Sequence, residues 1–109
     1  MPLYLFQALD HPGEQTRARR AAARGDHMKQ LHELHARGHI HDAGALLDDA
    51  GNIIGSLIIY EARDIDQARS FAAADPFARE GIWAQNSVRS YRAVQWQGGA
   101  AVAPTAGSS

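Results

Sequence analysis

The chain has no cysteine, which excludes a disulfide framework, a thiolate zinc site and a cysteine nucleophile. It also has no long apolar run. The N-terminal "MPLYLFQALDHPG" is apolar over too few residues to cross a bilayer, and it lacks the basic flank and small-residue cleavage site of a secretory signal. A cytoplasmic protein with no membrane partner is expected. An excess of one charge is missing as well. The 11 basic and 12 acidic side chains leave a formal net charge of -1, which speaks against a nucleic-acid partner held by neutralised phosphates. Only "RARRAAARG" concentrates positive charge, enough to attract an anion locally. What remains is a chain of 109 residues, enough for one core and too few for two, whose chemistry must come from His, Asp, Glu, Arg, Tyr and Ser.

Leu3 to Leu9 are apolar with aromatics on alternate positions, and "DHPG" bounds them as a strand. A helical pattern starts at Glu14. Gly25 weakens a helix interior and Asp26 can cap a new start, so the main first helix is expected over "DHMKQLHELHARG", with Met28, Leu31 and Leu34 inward and Gly38 ending it. A strand around His39 to Leu46, the turn "LDDAGN" and a strand from Ile53 to Glu61 form a hairpin. The second helix starts at Asp64, where Gln67 completes a capping box, and ends near Ala74. After the Asp75-Pro76 break and one short helical turn, "NSVRSYRAVQW" reads as the last strand. The order β-α-β-β-α-β is the split arrangement of ferredoxin-like α+β folds, a four-stranded antiparallel sheet with two main helices on one face. There is no internal repeat.

The third strand is apolar on both faces, with Ile54, Ile58 and Tyr60 on one and Ile53, Leu57 and Ile59 on the other. A sheet that met water on one side would alternate apolar and polar residues. Two helices cover only one face, so the other is expected against a second copy of the chain, as a homodimer joined through sheet faces.

This topology runs the two helices in opposite directions and brings the end of the second beside the start of the first. His27 in "RGDH" then approaches Asp75 in "AAADPF", with Arg24 three residues before His27 and Arg20 one turn further back. Such a group could move a proton and hold an anionic small molecule, with Phe77 and Trp83 as aromatic walls. Each member also has a plain structural use: His27 packs at a helix start, and Asp75 caps the turn that begins at Pro76. The two uses are compatible.

The pattern R-x-x-H at Arg24 to His27, Leu34, Gly38, Ile40, Ala43 and Gly44 after it, and "ADPF" to "GIW" from Ala74 to Trp83 resemble the YCII-related (YciI-like) proteins over roughly Leu3 to Trp96. The resemblance implies a dimeric α+β barrel of ferredoxin-like protomers with His27 and Asp75 as its active-site pair. One branch of that family removes chloride from a hydroxylated chloroaromatic, and related barrels include isomerases and cofactor-free monooxygenases. Two positions depart from the pattern, Gly25 and Ala45, where many members have proline. The first should loosen the helix start and the second a loop beside the pocket.

His32, His35, His39 and His41 do not form a metal site by their spacing, because Gly38 breaks the helix between His35 and His39 and no HExxH-like run exists. No metal or cofactor is implied. A domain over residues 1–97 is followed by a small, polar, glycine-containing tail, 98–109. Two functions fit: a cofactor-independent lyase, isomerase or dehalogenase using His27 and Asp75 for proton transfer on an anionic, enolisable or aromatic substrate, or a non-catalytic dimer that binds a small ligand or a partner.

Overall fold

The computed structural model describes residues 1–96, so the expected domain boundary and tail lie outside the described residues. In chain order the elements are β1 (Leu3–Asp10), α1 (Glu14–Ala36), β2 (Ile40–Leu47), β3 (Ile53–Glu61), α2 (Ile65–Ala74), α3 (Pro76–Arg79) and β4 (Trp83–Tyr91). The strands lie in the order β2-β3-β1-β4 with every neighbouring pair antiparallel, which is the ferredoxin-like arrangement. Along β1 the alternation sends Tyr4, Phe6 and Ala8 into the core, and β3 adds Ser56, Ile58 and Tyr60 on the same side. Ala23, Leu31 and Leu34 of α1 and Ala68 and Ala72 of α2 close over them.

The first helix differs from the sequence reading. α1 runs unbroken for 23 residues through Gly25 and Asp26. Its buried residues Thr16, Ala23, His27, Leu31 and Leu34, with half-buried Arg20, form one stripe that crosses Gly25 without a phase change. A mid-helix glycine costs about 1 kcal/mol relative to alanine, whereas one buried leucine returns roughly 1.5–3 kcal/mol, so the packing of the stripe wins. The end of α1 falls where expected: Gly38 takes a φ of 83°, the N–H of His39 reaches the Leu34 carbonyl at 2.8 Å, and that of Gly38 reaches His35 at 2.9 Å.

At the second helix the expected cap is present, with the Gln67 N–H donating to Asp64 Oδ1 at 2.8 Å and Gln67 Oε1 accepting from the Arg63 N–H at 2.7 Å. β4 starts at Trp83, three residues before the expected Asn86, because a bulge in β4, with Ala84 the extra residue between Gln85 and Trp83, extends the ladder to pair Asp10 with Trp83. It stops at Tyr91, since Leu3 at the start of β1 is the residue opposite it. Ala45 is likewise a ladder residue of β2 paired with Ser56, so its missing proline loosens no loop. The face of the sheet away from the helices carries half-buried Leu5 and Leu57 and exposed Leu9.

Candidate active site

Asp75 stands where one helix stops and another begins. The residue before a proline is pushed out of the helical region, and Asp75 is extended, with φ -63° and ψ 134°, between the last turn of α2 and Pro76 at the start of α3. Its Oδ1 accepts the N–H of Phe77 at 2.8 Å, the cap expected of it. The same carboxylate is fully buried and meets Nδ1 of His27, at 2.8 Å through Oδ1 and 2.9 Å through Oδ2. The helix cap and the contact with His27 therefore coexist in one carboxylate.

The route to this contact is not the expected one. His27 lies deep inside α1, about 20 Å of helix from Glu14 at 1.5 Å per residue. α1 is more than twice as long as α2, so the end of α2 reaches the middle of α1. The positive end of the helix dipole, confined to the first turn, does not act on His27.

A carboxylate can only accept, so the imidazole directs its Nδ1–H at Asp75, and in the neutral ring Nε2 is left with a lone pair. Nε2 has no protein partner among the described residues, and the ring lines a cleft of about 260 Å³ between α1, β2 and β3. Phe77 stacks on the ring at 3.8 Å with the planes 11° apart, which fixes the imidazole plane. Small side chains make the space: Ala43, Gly44 and Ala45 of β2 pair across from Ile58, Leu57 and Ser56 of β3. Met28 and Leu31 complete the apolar wall. An imidazole on one side and a mainly apolar lining on the other leave a cleft that can accept a flat organic molecule.

Arg20 and Arg24 both line the cleft and are otherwise unlike. Arg20 pairs with Asp10 at 2.8 Å, donates to Ser56 Oγ at 2.9 Å and to the Gly55 carbonyl at 3.2 Å, and sits 4.4 Å from the centre of the Phe77 ring. Its charge is already matched, and it braces the ring that braces His27. A side chain on Gly55 would collide with the Ala8 carbonyl, so only glycine lets β1 and β3 approach here. Arg24 is exposed and makes no ion pair among the described residues, which leaves it available to an anion.

The two aromatic walls also part company. Phe77 lines the cleft, whereas Trp83 stands behind it, 6.0 Å away edge-on, and packs on Phe6 at 4.7 Å. Trp83 is absent from the lining and belongs to the core. Sequence reasoning passed over Asp10, Ser56 and Gly55. Their signal was present in "IIGSLIIY", where a glycine and a hydroxyl interrupt an apolar strand, and in a carboxylate closing β1. Tyr60 is fully buried and its hydroxyl has no protein partner. Burial first, and the Asp75 charge second, push its phenol far above the ordinary range, so it stays protonated. His39, by contrast, is committed to structure, its Nδ1 bonded to the Glu61 carbonyl at 2.8 Å.

Comparison with known proteins adds a family and relatives. The YCII-related domain matches residues 3–92. Protein YciI of Escherichia coli is 29% identical over 98 residues, covering 84% of this chain and 98% of its own. An uncharacterised protein of Haemophilus influenzae is 29% identical over 97 residues, covering 84% and 97%. Among solved structures, the 5-chloro-2-hydroxyhydroquinone dehydrochlorinase of Burkholderia phenoliruptrix, in complex with 2,5-dihydroxybenzoquinone, is 28% identical with a TM-score of 0.69. That alignment covers 89% of this chain and 98% of the dehydrochlorinase.

Proposed function

This chain belongs to the YCII-related domain family, and from that footing we propose that it is a cofactor-independent enzyme in which His27 and Asp75 perform general acid/base proton transfer. The observation that carries the reading is the division of labour on one imidazole: Nδ1 is tied to a fully buried carboxylate while Nε2 stays unpartnered on a small cleft. Nε2 takes a proton from a hydroxyl group or from a carbon beside a carbonyl. The imidazolium so formed is stabilised by Asp75, whose charge acts at short range away from water. The electron pair left on the substrate then either accepts a proton at another position, which is isomerisation, or expels a leaving group with its bonding electrons, which is a lyase or dehalogenase step.

The substrate is a small aromatic or enolisable molecule, in keeping with the lining and with the hydroxylated ring that the similar dehydrochlorinase acts on. The active species is a homodimer joined through the sheet face that carries Leu5, Leu9 and Leu57. The test follows chloride release from 5-chloro-2-hydroxyhydroquinone and deuterium uptake from D2O by enolisable keto acids. Wild type should turn over at least one of them, and His27→Ala should lose about 10²–10⁴-fold. Turnover that survives His27→Ala refutes the role. Binding of 2,5-dihydroxybenzoquinone without turnover of any compound supports a non-catalytic ligand-binding dimer instead.

A further inference from the structure

The cleft at His27 does not end at its own walls. A larger one of about 990 Å³ lies between the first half of α1 and the β2–β3 turn, and the two share Arg20, Arg24 and Ile53. Ligand sites commonly occupy about 300–1,000 Å³, so the inner cleft alone falls short of that range, whereas the outer one reaches its upper end and gives a ligand room beyond the inner walls. Arg17, Arg20, Arg24 and His27 follow one another at spacings of three, four and three, which sets them along one face of α1. A cationic strip thus leads outward from the proposed base.

The charges on this strip differ in availability. Arg20 is matched by Asp10 and held by Ser56 and Gly55. Arg17 meets Glu14 only at 4.0 Å, and both side chains are well exposed, so that pair holds Arg17 weakly. Arg24 has no ion pair among the described residues. On the acidic side, Asp48 also lines the outer cleft, but its carboxylate accepts from the N–H groups of Ala50 and Asn52 and from the Asn52 amide, each within 3.2 Å, and is held in its own turn.

We infer that the substrate has two parts: a proton-transfer unit at His27 Nε2 in the inner cleft, and an anionic arm, carboxylate or phosphate, that lies in the outer cleft against Arg24 and Arg17. Along the helix axis Arg24 is about 5 Å and Arg17 about 15 Å from His27, which sets the reach of the arm. The assignment of the first part rests on the acid/base reading of His27. The anion site itself does not.

The test is a two-dimensional NMR titration of the full chain at low ionic strength, with inorganic pyrophosphate and with succinate in separate arms. Saturable shifts confined to the Thr16–Arg24 and Gly51–Asn52 amides are expected, and pyrophosphate alone or succinate alone identifies a phosphate or a carboxylate arm. Arg17→Gln with Arg24→Gln should weaken that binding about tenfold or more, since two charge-assisted contacts are lost. His27→Ala should leave the anion affinity within about twofold while removing turnover, because the arm's contacts are to the Arg24 and Arg17 guanidiniums and not to the imidazole. Neither anion saturating, shifts on another surface, or a double variant that binds like wild type each overturns the inference. Its failure leaves the His27 reading standing, and turnover that survives His27→Ala leaves the anion site standing.

Discussion

Asp75 carries two loads, and three substitutions separate them. Oδ1 receives both the Phe77 N–H and His27 Nδ1, while Oδ2 receives His27 alone. Asp75→Ser keeps an oxygen for the Phe77 N–H but does not reach the imidazole, so it strands a buried donor at a cost of about 1–3 kcal/mol. Asp75→Ala loses the cap too, worth a further 0.5–2 kcal/mol or so, for a total of about 1.5–5 kcal/mol. Asp75→Asn retains the cap oxygen, but its amide N–H now faces Nδ1. The conflict is resolved by moving the ring proton to Nε2, at a cost of about 1 kcal/mol and with the lone pair turned away from the cleft. Urea denaturation with an unchanged m value should therefore rank the variants Asn, Ser, Ala in order of increasing damage. The enzymatic order differs, since Asn should lose turnover out of proportion to its stability. Serine as harmful as alanine, or all three within about 0.5 kcal/mol of wild type, would refute the dual role.

Gly55→Ala should lower stability by about 1–3 kcal/mol in a thermal or urea melt, because the new Cβ meets the Ala8 carbonyl and the β1–β3 ladder must spread. Arg20→Met should cost about 3 kcal/mol by stranding the Asp10 carboxylate, only 8% exposed, and adding Asp10→Asn should restore much of it, as a double-mutant cycle will read. In a pH titration followed by NMR, the Asp48 carboxyl should have its midpoint below 3.8, since the Asn52 N–H and amide favour its charged form. The stabilisation it lends is present above the unfolded pKa and fades as pH falls through the folded one. Light scattering at micromolar concentration should give a dimer mass that Leu57→Asp abolishes; a wild-type monomer rules out the sheet-face dimer.

The β-α-β-β-α-β order was readable because each element is bounded by a local signal: Gly38 after α1, Asp64 and Gln67 at α2, Asp75-Pro76 between α2 and α3. Gly25 misled for a physical reason, since helix propensity is a local quantity and the stripe through Ala23, His27 and Leu31 is a tertiary one. The pairing of His27 with Asp75 was legible from the motif and from the antiparallel run of the helices, but not its place, since the end of α2 meets the middle of α1 and not its start. Its supporting groups were not, because Arg20 meets Asp10 and Ser56 only through the β1–β3 register, which no local pattern in α1 reveals. Trp83, expected beside Phe77 as a second aromatic wall, is not in the cleft. The bulge at Ala84 of β4, opposite Leu9 and Asp10, instead leaves it paired with Asp10 and behind that ring.

The proposed chemistry needs His27 to present an unprotonated Nε2 to the cleft while Asp75 holds the proton on Nδ1. Nitrogen NMR of the imidazole, recorded at a pH where the ring is neutral and then during titration with 2,5-dihydroxybenzoquinone, tests it most directly. A proton on Nδ1 in the free protein and a change at Nε2 when the quinone binds are expected. A ring protonated on Nε2 instead, or a quinone that binds without disturbing either nitrogen, would contradict it.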